Sequence, residues 1–251
     1  MLMHSLVANV RNEMEKLWKR RRTKAFLLLT VLLPALSAVL LATLQNNIGV
    51  FGGLGSDLPM MMLGLFTFAL LPLFLFMSAA DSFSGEAAAR TLKLVLVRPI
   101  SRTKVFASKV AAIAFYIAVH LGVLWMASVL SGWFVPGGDM TGGLPDSLIA
   151  YSAAFVPMTA IGLIAVFIAQ CFSNTSGVIT LNIIIYAAAK ILPFIYPQVS
   201  LWSVFSYTNW YVLLVGDGIS VQKGLNMSVL LLSYCIMAYT AGSMLFDRKQ
   251  L

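Results

Sequence analysis

Residues 60–93 read MMMLGLFTFALLPLFLFMSAADSFSGEAAARTLK. The stretch from Met60 to Ala80 carries no charge at all, whereas the short stretch after it carries Asp81, Glu86, Arg90 and Lys93. A helix crosses the hydrocarbon core of a bilayer with roughly 20 apolar residues, each rising about 1.5 Å. Met60–Ala80 meets that length, and the abrupt change at Asp81 marks where the chain leaves the membrane. Five more stretches have the same character: Ala25–Leu44, Val110–Leu130, Leu148–Gln170, Val178–Pro197 and Leu225–Phe246. Over 251 residues the chain is 60% hydrophobic and 10% charged, with a mean hydropathy of +0.90. Soluble domains carry about 25% charged residues. The composition therefore excludes a water-soluble domain, and its hydrophobicity excludes disorder. The expected fold is an all-α integral membrane protein with six transmembrane helices, read as a single membrane domain over residues 1–251.

Lys and Arg predict the orientation. Residues 1–24 hold seven of them, residues 81–109 hold six, and the tail adds Arg248 and Lys249. With both termini in the cytoplasm, fifteen of the seventeen basic residues lie inside, Lys223 lies outside and Lys190 falls within a span. This is the positive-inside distribution. It accounts for the net charge of +8 without a nucleic-acid partner, which would need a basic face on a soluble fold. The expected location is the cell membrane, with the lipid surface as a partner of the basic segments. The first apolar stretch is too long for a cleavable signal and reads as a retained span.

Three segments are neither span nor plain loop. In residues 4–20, Leu6, Val10, Met14, Leu17 and Trp18 form one stripe of an amphipathic helix, with Arg11, Lys16, Lys19 and Arg20 on the basic side. Glu15 is spaced to pair with Lys19. Such a helix lies in the interface, either as an anchor alone or as an elbow that also transmits motion. Residues 81–109 form the one sizeable cytoplasmic connection. Ala88, Leu92, Val95 and Leu96 recur at helical spacing, Glu86, Arg90 and Lys93 line the other face, and Glu86 and Arg90 are spaced as an i, i+4 pair. Pro99 should end that helix at Arg98, and Ser101 can cap the next. It is either a hairpin on the headgroups or a docking element for a partner. Residues 198–224 hold Trp202, Phe205, Tyr207, Trp210 and Tyr211. They suit an aromatic belt, or two short helices dipping into the outer leaflet under cover of protein.

Enzyme chemistry finds little support. The sequence has no Gly-x-x-x-x-Gly-Lys-Ser/Thr loop, no Gly-x-Ser-x-Gly context and no pair of carboxylates within a span. Two histidines, His4 and His120, cannot form a His-x-x-x-His zinc site, so no metal site is expected. Asp57, Asp139, Asp146 and Asp217 are scattered over the outer loops. Inside the spans, Asn182, Tyr186 and Lys190 recur at i, i+4 and i+8 as a polar stripe that faces protein or a wet cavity. Lys190 either packs in the bundle or snorkels to the outer headgroups. His120 reads as a helix–helix hydrogen bond. Cys171 and Cys235 read as inert packing residues.

Asp81-Ser-Phe-Ser-Gly-Glu86, then Arg90-Thr91-Leu92-Lys93-Leu94-Val95-Leu96 and Arg98-Pro99-Ile100-Ser101-Arg102, with Lys109 opening the third span, resemble the first cytoplasmic loop of type-2 ABC export permeases. In that family a Gly-Glu pair, a Gly-Thr-Leu-(Lys/Glu)-Leu-Leu run and a Pro-Ile-Ser-Arg run occur in this order. Arg90 stands where Gly is usual. Asn12-Glu13-Met14-Glu15-Lys16-Leu17 and the closing Phe246-Asp247-Arg248-Lys249 also match. The resemblance implies a membrane subunit that pairs with a second copy or a similar permease. ATP and magnesium would be bound by separate ATP-binding subunits, with no cofactor in this chain and no catalysis by it alone. It also implies an elbow helix carrying Glu13, Lys16 and Trp18. A coupling helix over 86–97 would be held by the ATPase, with Asp81, Gly85, Glu86, Arg90, Thr91, Lys93, Arg98, Pro99 and Arg102 as the coupling residues. The competing functions are an intramembrane enzyme acting on lipid and a binding-only sensor or immunity protein.

Overall fold

The computed structural model describes residues 2–48, 54–89, 101–136, 140–215 and 221–248. Helix α1 covers Leu2–Lys19 and α2 Arg21–Ile48. The second span runs through α3 (Leu54–Leu65), a π-helical turn (Phe66–Leu70), α4 (Leu71–Ala80), a second π-helical turn (Asp81–Gly85) and the short α5 (Glu86–Ala88). Then follow α6 (Arg102–Gly132), α7 (Met140–Cys171) and α8 (Thr175–Ile195). Two 3₁₀ segments, Pro197–Leu201 and Val204–Leu213, lead to α9 (Val221–Arg248). No strand occurs among the described residues. Six helical stretches are long and apolar enough to cross a membrane: Arg21–Asn47, Gly55–Ala88, Arg102–Gly132, Gly143–Cys171, Thr175–Ile195 and Gln222–Arg248. All six expected spans have a helical counterpart; that of the fifth starts earlier, at Thr175, and stops at Ile195, short of the expected Pro197.

α7 occupies the centre, packed on α3, α4, α6, α9 and the second 3₁₀ segment. Its span is 56% buried inside the chain, against 11% for α8. The outer faces are greasy: Leu36, Val39 and Leu40 on α2, and Ile184 and Ile191 on α8, are all exposed. A soluble protein does not leave such faces bare; lipid or another membrane chain suits them. The start of α6 and the end of α9 lie at one end of the bundle, where the Arg102 guanidinium donates to the Asp247 carbonyl at 2.9 Å and Phe83 packs edge-on against Phe246.

Prolines explain two irregularities. A proline lacks the N–H that would bond the carbonyl four residues earlier, and its ring crowds that carbonyl. Pro72 thus leaves the Phe68 carbonyl without an α-helical donor, and the chain widens into the π turn just before it, closed by Leu71 N–H on the Phe66 carbonyl. The freed Phe68 carbonyl accepts the Tyr186 hydroxyl of α8. Pro157 does the same for Ala153, whose carbonyl accepts the Trp210 indole N–H at 2.9 Å. The two prolines therefore fix where α8 and the aromatic segment attach to the core.

Several expectations are corrected. Of the acids expected in outer loops, Asp146 belongs to α7 and Asp57 sits in the first turn of α3, where the helix N-terminus favours an acid. Ser101 occupies the N-cap position of α6, but its hydroxyl makes no capping bond. The aromatic segment is 3₁₀, and Trp210 and Tyr211 are buried against protein, so they form no belt, while Trp202 remains exposed. His120 bonds Tyr116 of its own helix, Nε2 to hydroxyl at 3.2 Å, and stacks on Phe74; it makes no helix–helix hydrogen bond. Cys171 lies exposed at the end of α7 and does not pack.

Candidate functional site

The charged residues of α1 and of the foot of the second span come together. α1 packs along α6, and the face that it turns inward carries Glu13 and Leu17, both buried. Trp18 is 49% exposed, so Glu13 and Leu17, and not the whole apolar stripe, meet the protein. Arg11 and Lys19 both lie near Glu15 on the outer side, at 3.5 and 3.9 Å.

Opposite Glu13 stands Lys109 of α6, its side chain 0% exposed. Its ammonium donates to Glu13 Oε2 at 2.8 Å and to Glu86 Oε2 at 2.7 Å. Lys16 closes the ring, 2.7 Å from Glu13 Oε1 and 3.6 Å from Glu86 Oε1. The four formal charges alternate and cancel. Such neutrality matters because a buried charge is tolerated only when paired. Burial would push the Glu13 carboxyl up, but the charge and hydrogen bond of Lys109, together with Lys16, outweigh it and hold that carboxyl below its ordinary value. Three chain segments, 96 and 23 residues apart, are thereby fastened at one point.

The second π turn builds the neighbouring cavity. In an α-helix, residues five apart sit about 140° apart around the axis; a π turn's i→i+5 bonding brings them to nearly the same side. Asp81 and Glu86 consequently line one cavity of about 470 Å³, together with Arg20, Arg21, Arg22, Gly85 and Ala89. Asp81 holds two of the arginines: Arg20 Nη1 at 3.2 Å and Arg22 Nη1 at 3.5 Å from Oδ2. The start of α8 lies close to the foot of the second span here: a Cβ on Gly85 would stand in van der Waals contact, 3.4 Å from Thr175 Oγ1.

Of the sequence-predicted residues, Glu13, Lys16, Asp81, Gly85 and Glu86 thus gather at this junction. Glu86 opens the short α5 (Glu86–Ala88), which continues the second span, and its carboxylate accepts from Lys109. Arg102 caps the end of α9 nearby. Arg90, Thr91, Lys93, Arg98 and Pro99 lie outside the described residues, as does the 90–97 part of the expected coupling helix. Lys109 is the residue whose role sequence reasoning missed; its one signal was a cation opening an apolar run.

At the far part of α8, the polar stripe faces protein. Asn182 is buried and donates to the Val178 carbonyl at 2.9 Å. Lys190 donates to Thr208 Oγ1 at 2.7 Å and sits over the rings of Phe68 and Tyr186 at 5.1 and 5.7 Å. It packs against the second span and the 3₁₀ segment.

The comparison with individual curated proteins gives no match. A family model described as "ABC-2 family transporter protein" matches residues 9–190. That range takes in the Glu13–Lys109–Glu86 junction, the central helix and the polar stripe of α8, and it covers well over half of the sequence. A six-span helical chain with this match belongs to the ABC-2 transporter family, as a membrane-embedded component of the transporter.

Proposed function

We propose that the chain is the permease subunit of an ATP-driven exporter in the cell membrane, working beneath no catalytic centre of its own. The observation that carries the reading is the Glu13–Lys109–Glu86 junction, which fastens α1, α6 and the foot of the second span immediately before the 90–100 segment. That segment holds the run that resembles the family's coupling loop. A push on it reaches three elements at once through a buried, charge-neutral joint. In this reading α1 is the elbow helix, with Glu13 and Lys16 in the joint and Trp18 towards the headgroups. Asp81, Gly85, Glu86, Arg90, Thr91, Lys93, Arg98, Pro99 and Arg102 form the coupling region. A separate ATP-binding subunit supplies ATP and Mg sites and docks there, on the cytoplasmic side, where the basic residues and both termini lie. Two copies, or this chain and a similar permease, complete the transporter. Tyr186 and Lys190 border the pathway beside the buried Asn182, and the two 3₁₀ segments lie in the outer leaflet.

Purification from the native membrane tests this directly. An ATP-binding protein should accompany the chain, and the pair should hydrolyse ATP whereas the chain alone does not. ATP hydrolysis or lipid turnover by the chain alone, or recovery from native membrane with no ATP-binding partner, would refute the permease reading.

A further inference from the structure

Among the described residues, Lys109 is buried and Lys190 is half-buried inside a span, and the chain answers these two charges differently. Lys109 is neutralised by two carboxylates. Lys190, five residues before the end of α8, has no carboxylate partner among the described residues; a neutral hydroxyl and two ring faces surround it. An ammonium has three N–H donors, and Thr208 takes one. Ring faces attract a cation without cancelling its charge, and an uncancelled charge within a membrane is costly enough to mark a functional site. The side open to a ligand is apolar. Phe68 is 57% exposed, held outwards by the π turn that Pro72 imposes. Ile183 and Phe194 share the Lys190 face of α8, at i−7 and i+4, and both are exposed. An anion would complete the charge, and an apolar tail would cover the remainder.

We propose that Lys190, with Phe68, Tyr186 and Thr208, binds the anionic head of an amphiphile, a phosphate or carboxylate, whose apolar part lies along Ile183 and Phe194. Charge complementarity selects the head, and the exposed apolar face selects against free inorganic ions. The inference deepens the transporter reading by naming a ligand class for its α8 stripe. Its binding step is nevertheless tested without an ATPase.

The full chain is reconstituted in bilayer discs of phosphatidylcholine mixed with phosphatidylglycerol, and the lipids retained after extraction are weighed by native mass spectrometry. Wild type should retain phosphatidylglycerol in preference to phosphatidylcholine. Lys190→Met should lose that preference by about tenfold or more, the loss of a charge-assisted contact, and Lys190→Arg should keep it. Dodecyl phosphate should displace the retained lipid, and inorganic phosphate should not. Equal retention by wild type and Lys190→Met overturns the site. Should Lys190→Met fail to fold, wild type that shows no headgroup preference overturns it equally. With an ATPase present, ligand lost on turnover marks cargo and ligand kept marks a resident lipid; both uphold the site. Absence of any ATPase partner would remove the transporter reading and leave this binding result standing.

Discussion

Lys109→Met tests whether the buried junction holds the fold together. Methionine keeps the length of the side chain and removes its charge, stranding two carboxylates that are 8% and 11% exposed. Breaking a buried ion pair by deleting one partner costs about 3–5 kcal/mol, against about 0.2–1 kcal/mol for an exposed pair. The full exclusion of the Lys109 side chain from solvent puts it in the first regime. Lys16 stays 2.7 Å from Glu13 and 3.6 Å from Glu86 and offsets part of the stranded charge, so the lower end, about 3 kcal/mol, is expected. At about 2–4 °C per kcal/mol for a chain of this size, the apparent unfolding midpoint should fall by about 6–12 °C. Heating detergent-solubilised protein and counting the monodisperse fraction by size exclusion reads this out. Adding Glu13→Gln and Glu86→Gln to Lys109→Met removes the stranded charges and should recover most of the loss, because apolar or neutral replacement of a whole buried cluster is close to neutral. A single-variant shift below about 2 °C, or a triple variant no better than the single, would refute the reasoning that this is a buried joint.

Other expectations are as direct. Arg102→Cys should react with a membrane-impermeant thiol reagent from the cytoplasmic side only, and Asp57→Cys from the outside only; labelling of position 57 from the cytoplasm would overturn the proposed orientation. The carboxyl of Glu13 is held below its ordinary 4.5, so its stabilisation is complete above pH 4.5 and lost as pH falls through the lowered folded value. The stability advantage of wild type over Glu13→Gln should accordingly be flat at neutral pH and shrink in acid, as seen by unfolding midpoints across pH. Trp210→Phe leaves the Ala153 carbonyl without its donor and should cost about 1–3 kcal/mol; Pro157→Ala, which restores a main-chain N–H to that carbonyl, should cost less in the Trp210→Phe background than alone. Gly242→Ala sets a Cβ 3.1 Å from Phe106 Cζ and 3.2 Å from Gln170 Nε2, and should destabilise by about 1–3 kcal/mol through overpacking of α9 on α6 and α7.

The spans were legible because length and hydropathy are local properties, and the bilayer demands them one segment at a time. The junction was legible only in part. Glu13, Lys16, Asp81, Gly85 and Glu86 stand out as rare charges and motif residues, yet the pairing of Glu13 with Lys109 joins positions 96 residues apart, and no periodicity relates them. The π turn at Asp81–Gly85 changes the phase by a residue's worth of rotation, which is enough to send Glu86 inwards to Lys109. The same kind of shift operates at Pro72, where a missing N–H frees the Phe68 carbonyl for Tyr186 and turns the Phe68 ring beside Lys190. Proline could have been read for this in advance: each one inside an apolar span orphans a known carbonyl, four residues back, and a buried carbonyl must find a donor elsewhere. Pro72 points to Phe68 and Pro157 to Ala153; the donors that arrive, Tyr186 and Trp210, are two of the aromatic residues near the polar stripe. What remained beyond sequence was which donor would come, because that choice is made by the packing of α8 and the 3₁₀ segment against the second span and α7.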